Sequence, residues 1–338
     1  FVILDSDVEQ NLKPLSASER LERRNSARLS FPDIGLGPLV SFGVEAIDVR
    51  DNQRDYGLSR EAIVPSLTFR PLREFVGTLS ASAELNTEEI FGGQSVNDII
   101  ANNRNLEQLL RFPDGTTFVL AQRISASWDR RDVPLNATRG TFTSVDIEHV
   151  NAFPADPDDP ETQPLVSHFM KMSGRFTGYV AVTQGGAAFA LSVALGANVQ
   201  LKDDSKTYPD RLFYLGGSDS LRSFLSASVV PEDVAQKILQ GQLKIEDVAI
   251  RGGDIWWNPR LEFRLPLSDL VGIGLFAEAG NLWVDAANGF NPFDLRYGLG
   301  GGLRFSTPVG PIAIDGGLNP TKREWEDIGA LHFAVGLL

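Results

Sequence analysis

At 338 residues the chain is long enough for two soluble domains or one large barrel, and its net charge of −13 argues against a nucleic-acid partner, because phosphate binding needs a basic surface. It has no cysteine, which excludes a disulfide framework and a thiolate metal site, and no run of about 18 apolar residues, which excludes a transmembrane helix. A membrane is not thereby excluded, since a spanning β-strand needs only about ten residues, half of them polar. With 32 glycines and 19 prolines, the composition favours many short strands and turns.

Residues 1–4 read as the tail of a strand, so the chain is expected to be part of a larger protein, and 5–24 as a charged loop with a helical turn. Residues 28–31 follow as a short strand before Pro32. From Leu39 the pattern sharpens: Val40, Phe42, Val44 and Ala46 alternate with Ser41, Gly43 and Glu45. After a polar turn at 50–55, Ile63, Leu67 and Phe69 form a weaker alternating set. Phe75, Leu79, Ala81, Ala83 and Leu85 then oppose Thr78, Ser80, Ser82 and Glu84. Sustained period two means a strand with one apolar face. Residues 87–116 break the rhythm, and the helical spacing of Val96, Ile99, Ile100, Leu106, Leu109 and Leu110 predicts a long loop carrying a short helix.

Strand character resumes with Phe118, Leu120, Ile124, Ala126 and Trp128, and again over 141–150, where Val145 and Ile147 oppose Asp146 and Glu148. A charged turn at 129–132 joins the two, and the Pro- and acid-rich stretch 152–164 reads as a solvent loop. Residues 170–182 and 187–201 form a hairpin about Gln184, Gly185 and Gly186. Next comes a turn-rich stretch, 211–224, with two glycines and the serines 218 and 220, ending in Arg222 between apolar neighbours. It lies within a long connection, 202–255, whose residues 229–247 read as helix after Pro231. Five clear strands close the chain, centred on Leu261, Phe263 and Leu265; Ile273, Leu275 and Ala277; Tyr297, Leu299 and Leu303; Ile312 and Ile314; and Leu331, Phe333, Val335 and Leu337.

Alternation alone also describes a soluble sandwich. Three features favour a membrane barrel. Charges recur on the polar faces of the late strands (Glu262, Arg264, Glu278, Arg304, Asp315), as a lumen filled by paired charges requires. Short turns are expected at one end and long loops at the other. Trp128, Trp256, Trp257, Trp283 and Tyr297 lie near strand ends, where aromatic belts sit.

Four blocks, in this order, then carry a resemblance. Asp129, Arg130, Arg131, Asp132 and Pro134, followed by Arg139 and Gly140, make the first; residues 213–224, with Leu221, Arg222, Ser223 and Phe224, make the second. The third is Phe276, Ala277, Glu278, Ala279 and Gly280, and the fourth runs from Gly300 to Asp315. With these the chain resembles the BamA/TamA superfamily of outer-membrane protein assembly factors, which also includes two-partner-secretion transporters. The resemblance implies an all-β, transmembrane antiparallel barrel of the sixteen-stranded type, with the first one or two strands and the periplasmic POTRA repeats absent from this chain. Residues 1–338 would be one barrel domain, and 202–255 a lumenal loop inserted after the eleventh strand.

What the resemblance implies for residues follows the motifs. Leu221, Arg222, Ser223 and Phe224 would dock in the lumen against Phe276, Glu278, Gly280 and Glu262, with Arg222 paired to Glu278. Leu221 and Ser223 stand where the family has valine and glycine. Leu331, Phe333, Val335, Gly336 and Leu338 would form the last strand of a lateral gate, Gly336 allowing it to kink. The implied function is an insertase for unfolded outer-membrane proteins, embedded in the lipid bilayer of the outer membrane of a Gram-negative bacterium. Accessory lipoproteins or an inner-membrane partner would attach through POTRA repeats. No bond is made or broken, so neither catalytic residues nor cofactors are expected.

Two alternatives stay open: a polypeptide-secreting transporter of the same fold, and a barrel anchoring an upstream patatin-like enzyme. The second needs a Gly-x-Ser-x-Gly elbow, which residues 216–220 do not supply, and only His149, His168 and His332 are available as bases. The glycines at 298 and 300–302 lack the Lys-Ser/Thr of a phosphate loop and fit a strand better.

Overall fold

The computed structural model describes residues 20–52, 56–90, 116–134, 136–155, 167–203, 205–248, 250–285, 290–307 and 310–335. Thirteen strands form one antiparallel sheet in which each strand pairs with its neighbours in sequence. Before the long connection come β1 (Arg23–Phe31), β2 (Val40–Asn52), β3 (Tyr56–Leu72), β4 (Phe75–Ile90), β5 (Thr116–Asp129), β6 (Gly140–Pro154), β7 (Ser167–Ala181) and β8 (Ala188–Gln200). After it come β9 (Ile255–Pro266), β10 (Val271–Trp283), β11 (Arg296–Thr307), β12 (Gly310–Leu318) and β13 (Gly329–Val335).

The faces of these strands are inverted relative to a soluble protein. Along β8, Phe189, Leu191, Leu195 and Val199 are exposed, whereas Ala188, Ala190, Ser192, Ala194 and Asn198 are buried. Along β10, Leu275 faces out while Phe276 and Glu278 face in. Large apolar side chains outward and small or polar ones inward is the pattern of a wall whose outer solvent is lipid. The sheet is curled around residues 201–254, because that one segment touches many strands. It bonds β3 through Tyr56, β4 through Glu84, β9 through Glu262, β10 through Glu278 and β13 through His332. A flat sheet could not reach both ends of that list.

Connection lengths are asymmetric. The connections 32–39, 73–74, 182–187 and 267–270 fall at one end, and the long connection 201–254 at the other. Inside the long connection lie a 3-10 turn, Pro209–Arg211, and one helix, α1 (Glu232–Leu239), begun by Pro231 with Glu232 and Asp233 in its first turn. Tyr56 and Leu58 of β3 pack with Leu212, Val230, Val234, Leu243 and Ile250 into an apolar core that belongs mostly to the connection itself.

The structure departs from the sequence reading in several places. The described residues carry thirteen strands, eight of them before the long connection, where the resemblance with one or two strands absent implies fourteen or fifteen, nine or ten of them before it. Among the described residues β1 and β13 are not paired with each other. β1 starts at Arg23 and β4 runs on to Ile90, so residues 87–90 are strand where a loop was expected; the helix expected farther on falls outside the described residues. The helix expected over 229–247 is confined to α1, with a 3-10 turn at Ile245–Asp247. Trp128 and Tyr297 face outward at strand ends, but Trp283 is fully buried against Phe290, ring centroids 5.0 Å apart, and Trp256 packs on Phe213 inside. Neither of these two belongs to a belt.

Candidate functional site

Two glycines, Gly216 and Gly217, turn the connection sharply with φ of 105° and 107°, values that L-residues avoid. The N–H of Gly217 donates to the carbonyls of Leu221 and Phe224, closing a compact loop over the apolar side chains Leu215, Leu221, Phe224 and Val229. Those side chains and Leu282 fill one side of the loop. Arg222 is thereby pushed out of its other side, toward the wall.

There its Nε donates to Glu278 Oε1 at 2.6 Å and its backbone N–H to Oε2 of the same carboxylate at 2.7 Å. One terminal nitrogen reaches Glu262 at 3.0 Å and Asp315 at 3.3 Å. The guanidinium carbon lies 3.7 Å from the ring centroid of Phe276, a cation–π contact. Arg304 donates to Asp315 at 2.6 Å and Glu262 at 3.2 Å, and Arg264 donates to Glu262 at 3.0 Å. Three guanidinium groups, Arg222 on the loop with Arg264 on β9 and Arg304 on β11, thus alternate with three carboxylates on β9, β10 and β12. Burial disfavours the charge on Arg222, but Glu278, Glu262 and Asp315 outweigh it and hold the group above its ordinary pKa.

The wall is cut to receive this loop. On β11, Gly298, Gly300 and Gly302 share the inward face, and a β-carbon on each would run into Ser223, Phe276 and Asp315 respectively. On β12, a β-carbon at Gly317 would lie 2.6 Å from the Arg222 carbonyl oxygen and 2.7 Å from the Ser223 Cα. The glycine run is a groove in a strand. Ser223 fits where a smaller residue was expected because two wall positions facing it lack side chains. Gly280 makes its room for Asn258, whose Nδ2 donates to the Ala279 carbonyl, rather than for Arg222. His332 of β13 meets the Phe224 carbonyl at 3.0 Å through Nε2.

A second anchor, for which the sequence reading named no role, sits eleven residues earlier. Arg211 donates to both oxygens of Glu84 on β4, at 2.8 and 2.9 Å, and to Asp210 at 2.6 Å, with Glu148 on β6 at 3.5 Å. Arg60 of β3 bonds Asp210, Arg123 of β5 bonds Glu148 at 3.0 Å, and Lys171 of β7 donates to the Arg211 carbonyl at 2.8 Å. Burial disfavours the charge on Arg211, yet Asp210, Glu84 and Glu148 more than offset it. A third tie holds α1: Arg323 donates to both oxygens of Glu232, at 2.6 and 2.7 Å, and Asn281 to one of them. Burial raises the Glu232 pKa, but Arg323 and Asn281 win and keep it below the ordinary value.

The expected gate residues lie apart from these anchors. Leu331 and Phe333 project outward from β13 and are exposed, and the backbone of Val335 ends that strand. Gly336 and Leu338 fall outside the described residues.

An antiparallel wall with an apolar outer face and an ion-paired interior, crossed by its own connection, defines an outer-membrane β-barrel protein. A family model for the Omp85 superfamily domain matches residues 15–337, and the chain belongs to that superfamily. Its fold is similar to that of BamA from Haemophilus ducreyi lacking POTRA domains 1–3, with a TM-score of 0.68 at 16% identity over 92% of this chain and 61% of that one. CdiB from Acinetobacter baumannii is similar with a TM-score of 0.51 at 13% identity, covering 91% and 49%, and CdiB from Escherichia coli with 0.51 at 12%, covering 92% and 52%. The chain therefore spans about three fifths of the BamA structure and half of each CdiB structure.

Proposed function

We propose that this chain is the barrel of an outer-membrane insertase, which assists folding of unfolded outer-membrane proteins at a lateral gate between its first and last strands. The observation that supports this reading is the double anchorage of the connection, at Arg211 and at Arg222, inside the lumen. Each anchor is a buried guanidinium held by several carboxylates, and removing the guanidinium leaves buried carboxylates short of a partner. A lumen crossed in this way is a poor conduit, so a client is served from the sheet edge. A client strand can add to β13 beside Leu331, Phe333 and Val335 by β-augmentation, satisfying its backbone groups as it enters lipid. On this reading Leu221, Arg222, Ser223 and Phe224, with Glu262, Phe276, Glu278 and Gly280, keep the wall beside the gate in shape. The work is done by binding alone, in the outer membrane of a Gram-negative bacterium.

The test uses the full-length protein in liposomes presented with a urea-unfolded outer-membrane barrel, its folding followed by protease protection. Empty liposomes and the Arg222→Ala variant run alongside. Acceleration that the variant loses is the expected outcome. No acceleration over empty liposomes sinks the insertase and moves the assignment to a secretion transporter.

A further inference from the structure

Beside the docked loop a small cavity is lined by four arginines, Arg175, Arg222, Arg260 and Arg264, by the carboxylates of Asp219 and Glu262, and by the hydroxyls of Thr177 on β7 and Ser192 on β8. Ser192 stands between Thr177 and Arg260 in one cross-strand row, and Arg175 is the next inward position on β7. The Thr177 and Ser192 hydroxyls lie 3.1 Å apart, both buried.

The charges around this cavity do not balance. Arg175, Arg222, Arg260, Arg264 and Arg304 supply five positive groups, against four carboxylates on Asp219, Glu262, Glu278 and Asp315, a surplus of 5 − 4 = 1. Glu262, Glu278 and Asp315 are engaged by Arg222, Arg264 and Arg304, which leaves Arg175 and Arg260 with only the exposed Asp219 as a free carboxylate nearby. Among the described residues Arg260 donates only to the Asp219 carbonyl, at 2.9 Å, and its Nε is buried with no partner. Arg175 makes no hydrogen bond or ion pair there, and the exposed Asp219 carboxylate, 3.5 Å from the Ser218 hydroxyl, pairs with neither. Two guanidinium groups that face one space and are bonded by neither of its carboxylates, Asp219 and Glu262, repel each other.

We propose that this cavity is a binding site for a small oxyanion, a phosphate or a carboxylate. Arg175 and Arg260 would supply the charge-assisted bonds, and the Thr177 and Ser192 hydroxyls would complete the set. The planar fork of arginine suits either group.

The probes are inorganic phosphate and acetate, each compared with chloride at equal ionic strength and pH. Thermal unfolding of the full-length protein in detergent is followed by heat-modifiable gel mobility. Wild type should show a saturable rise in midpoint of a few degrees with phosphate, with acetate, or with both, and the responding probe identifies the group. Arg175→Gln should unfold above wild type in chloride, because repulsion is relieved, and should respond to neither anion. Arg260→Gln should also lose the response, and Arg175→Lys, which keeps the charge, should retain part of it. Equal wild-type midpoints in all three salts overturn the proposal, as does an Arg175→Gln or Arg260→Gln protein that responds like wild type.

Discussion

Arg222 holds both oxygens of the Glu278 carboxylate, one with its side chain at 2.6 Å and the other with its own backbone N–H at 2.7 Å. The carboxylate therefore fixes the path of the loop backbone as well as the charge, and the two contributions are separable. Arg222→Lys keeps the backbone bond and a cation but loses the fork, which should loosen docking by about 1.5–3 kcal/mol, the scale of hydrogen bonds to charged groups. Glu278→Ala removes both bonds, leaving the guanidinium only Glu262 and Asp315, and should loosen docking by about 3–5 kcal/mol. Limited proteolysis of the loop in the folded barrel gives the ranking. Equal sensitivity of the two variants would mean that the backbone bond does not matter.

The two anchors share no carboxylate: Arg211 uses Glu84, Glu148 and Asp210, and Arg222 uses Glu262, Glu278 and Asp315. Independent sites are expected to act additively. Arg211→Ala or Arg222→Ala alone should leave the connection tethered in the lumen by the other, whereas the double variant should leave it held only at α1 by Arg323 and Asn281. Single-channel conductance in planar bilayers is the readout, with brief openings for each single variant and a large, steady conductance for the double one. If Arg222→Ala alone conducts as much as the double variant, Arg211 is not a separate anchor.

The strands after the long connection were legible because each repeats a two-residue period that nothing interrupts, as in Leu299 to Leu303 beside Gly298 to Gly302. The Arg222–Glu278 pair could be expected because both ends sit in recognisable blocks. Arg211 could not. Its partners Glu84 and Glu148 lie in strands whose charges alternate like any lumenal polar face, and only the curl of the sheet brings β4 and β6 to one residue of a distant loop. Trp283 was placed wrongly for a related reason: at the end of β10, Asn281, Leu282 and Trp283 are all buried, since the connection covers the strand there. Once both faces are covered, alternation no longer tells in from out. Thr87, Glu88 and Glu89, polar and acidic, break the apolar rhythm and make 87–90 read as loop, although they continue β4.

The glycine groove makes an allele-specific prediction. A β-carbon at Gly298 meets the Ser223 side chain, whereas one at Gly317 meets the loop backbone, the Arg222 carbonyl oxygen at 2.6 Å and the Ser223 Cα at 2.7 Å. Gly298→Ala should undock the loop, and adding Ser223→Gly should restore it. Gly317→Ala should undock it too, but Ser223→Gly should rescue it little, because backbone cannot be trimmed. Loop proteolysis together with client-folding rate measures both pairs. Equal rescue of the two glycine variants would rule out this geometry.

At the short-turn end, Asp132 organises the turn between β5 and β6. Its carboxylate accepts from the Thr138 hydroxyl at 2.7 Å and from the backbone N–H groups of Val133, Thr138 and Arg139 at 2.9, 3.0 and 3.2 Å. Burial pushes its pKa up, but the Thr138 hydroxyl and those N–H groups together outweigh it and draw the value down to about 2. A carboxylate whose pKa is lowered by folding stabilises the fold above its ordinary value, near 3.9, and that contribution fades as pH falls toward about 2. Amide exchange at Thr138 and Arg139 should therefore stay slow, relative to unstructured controls, at neutral pH and lose protection between about pH 4 and pH 2. Asp132→Asn, which keeps an acceptor oxygen but no charge, should show weaker protection with no step in that window. A step of the same size in the variant would assign the transition to another group.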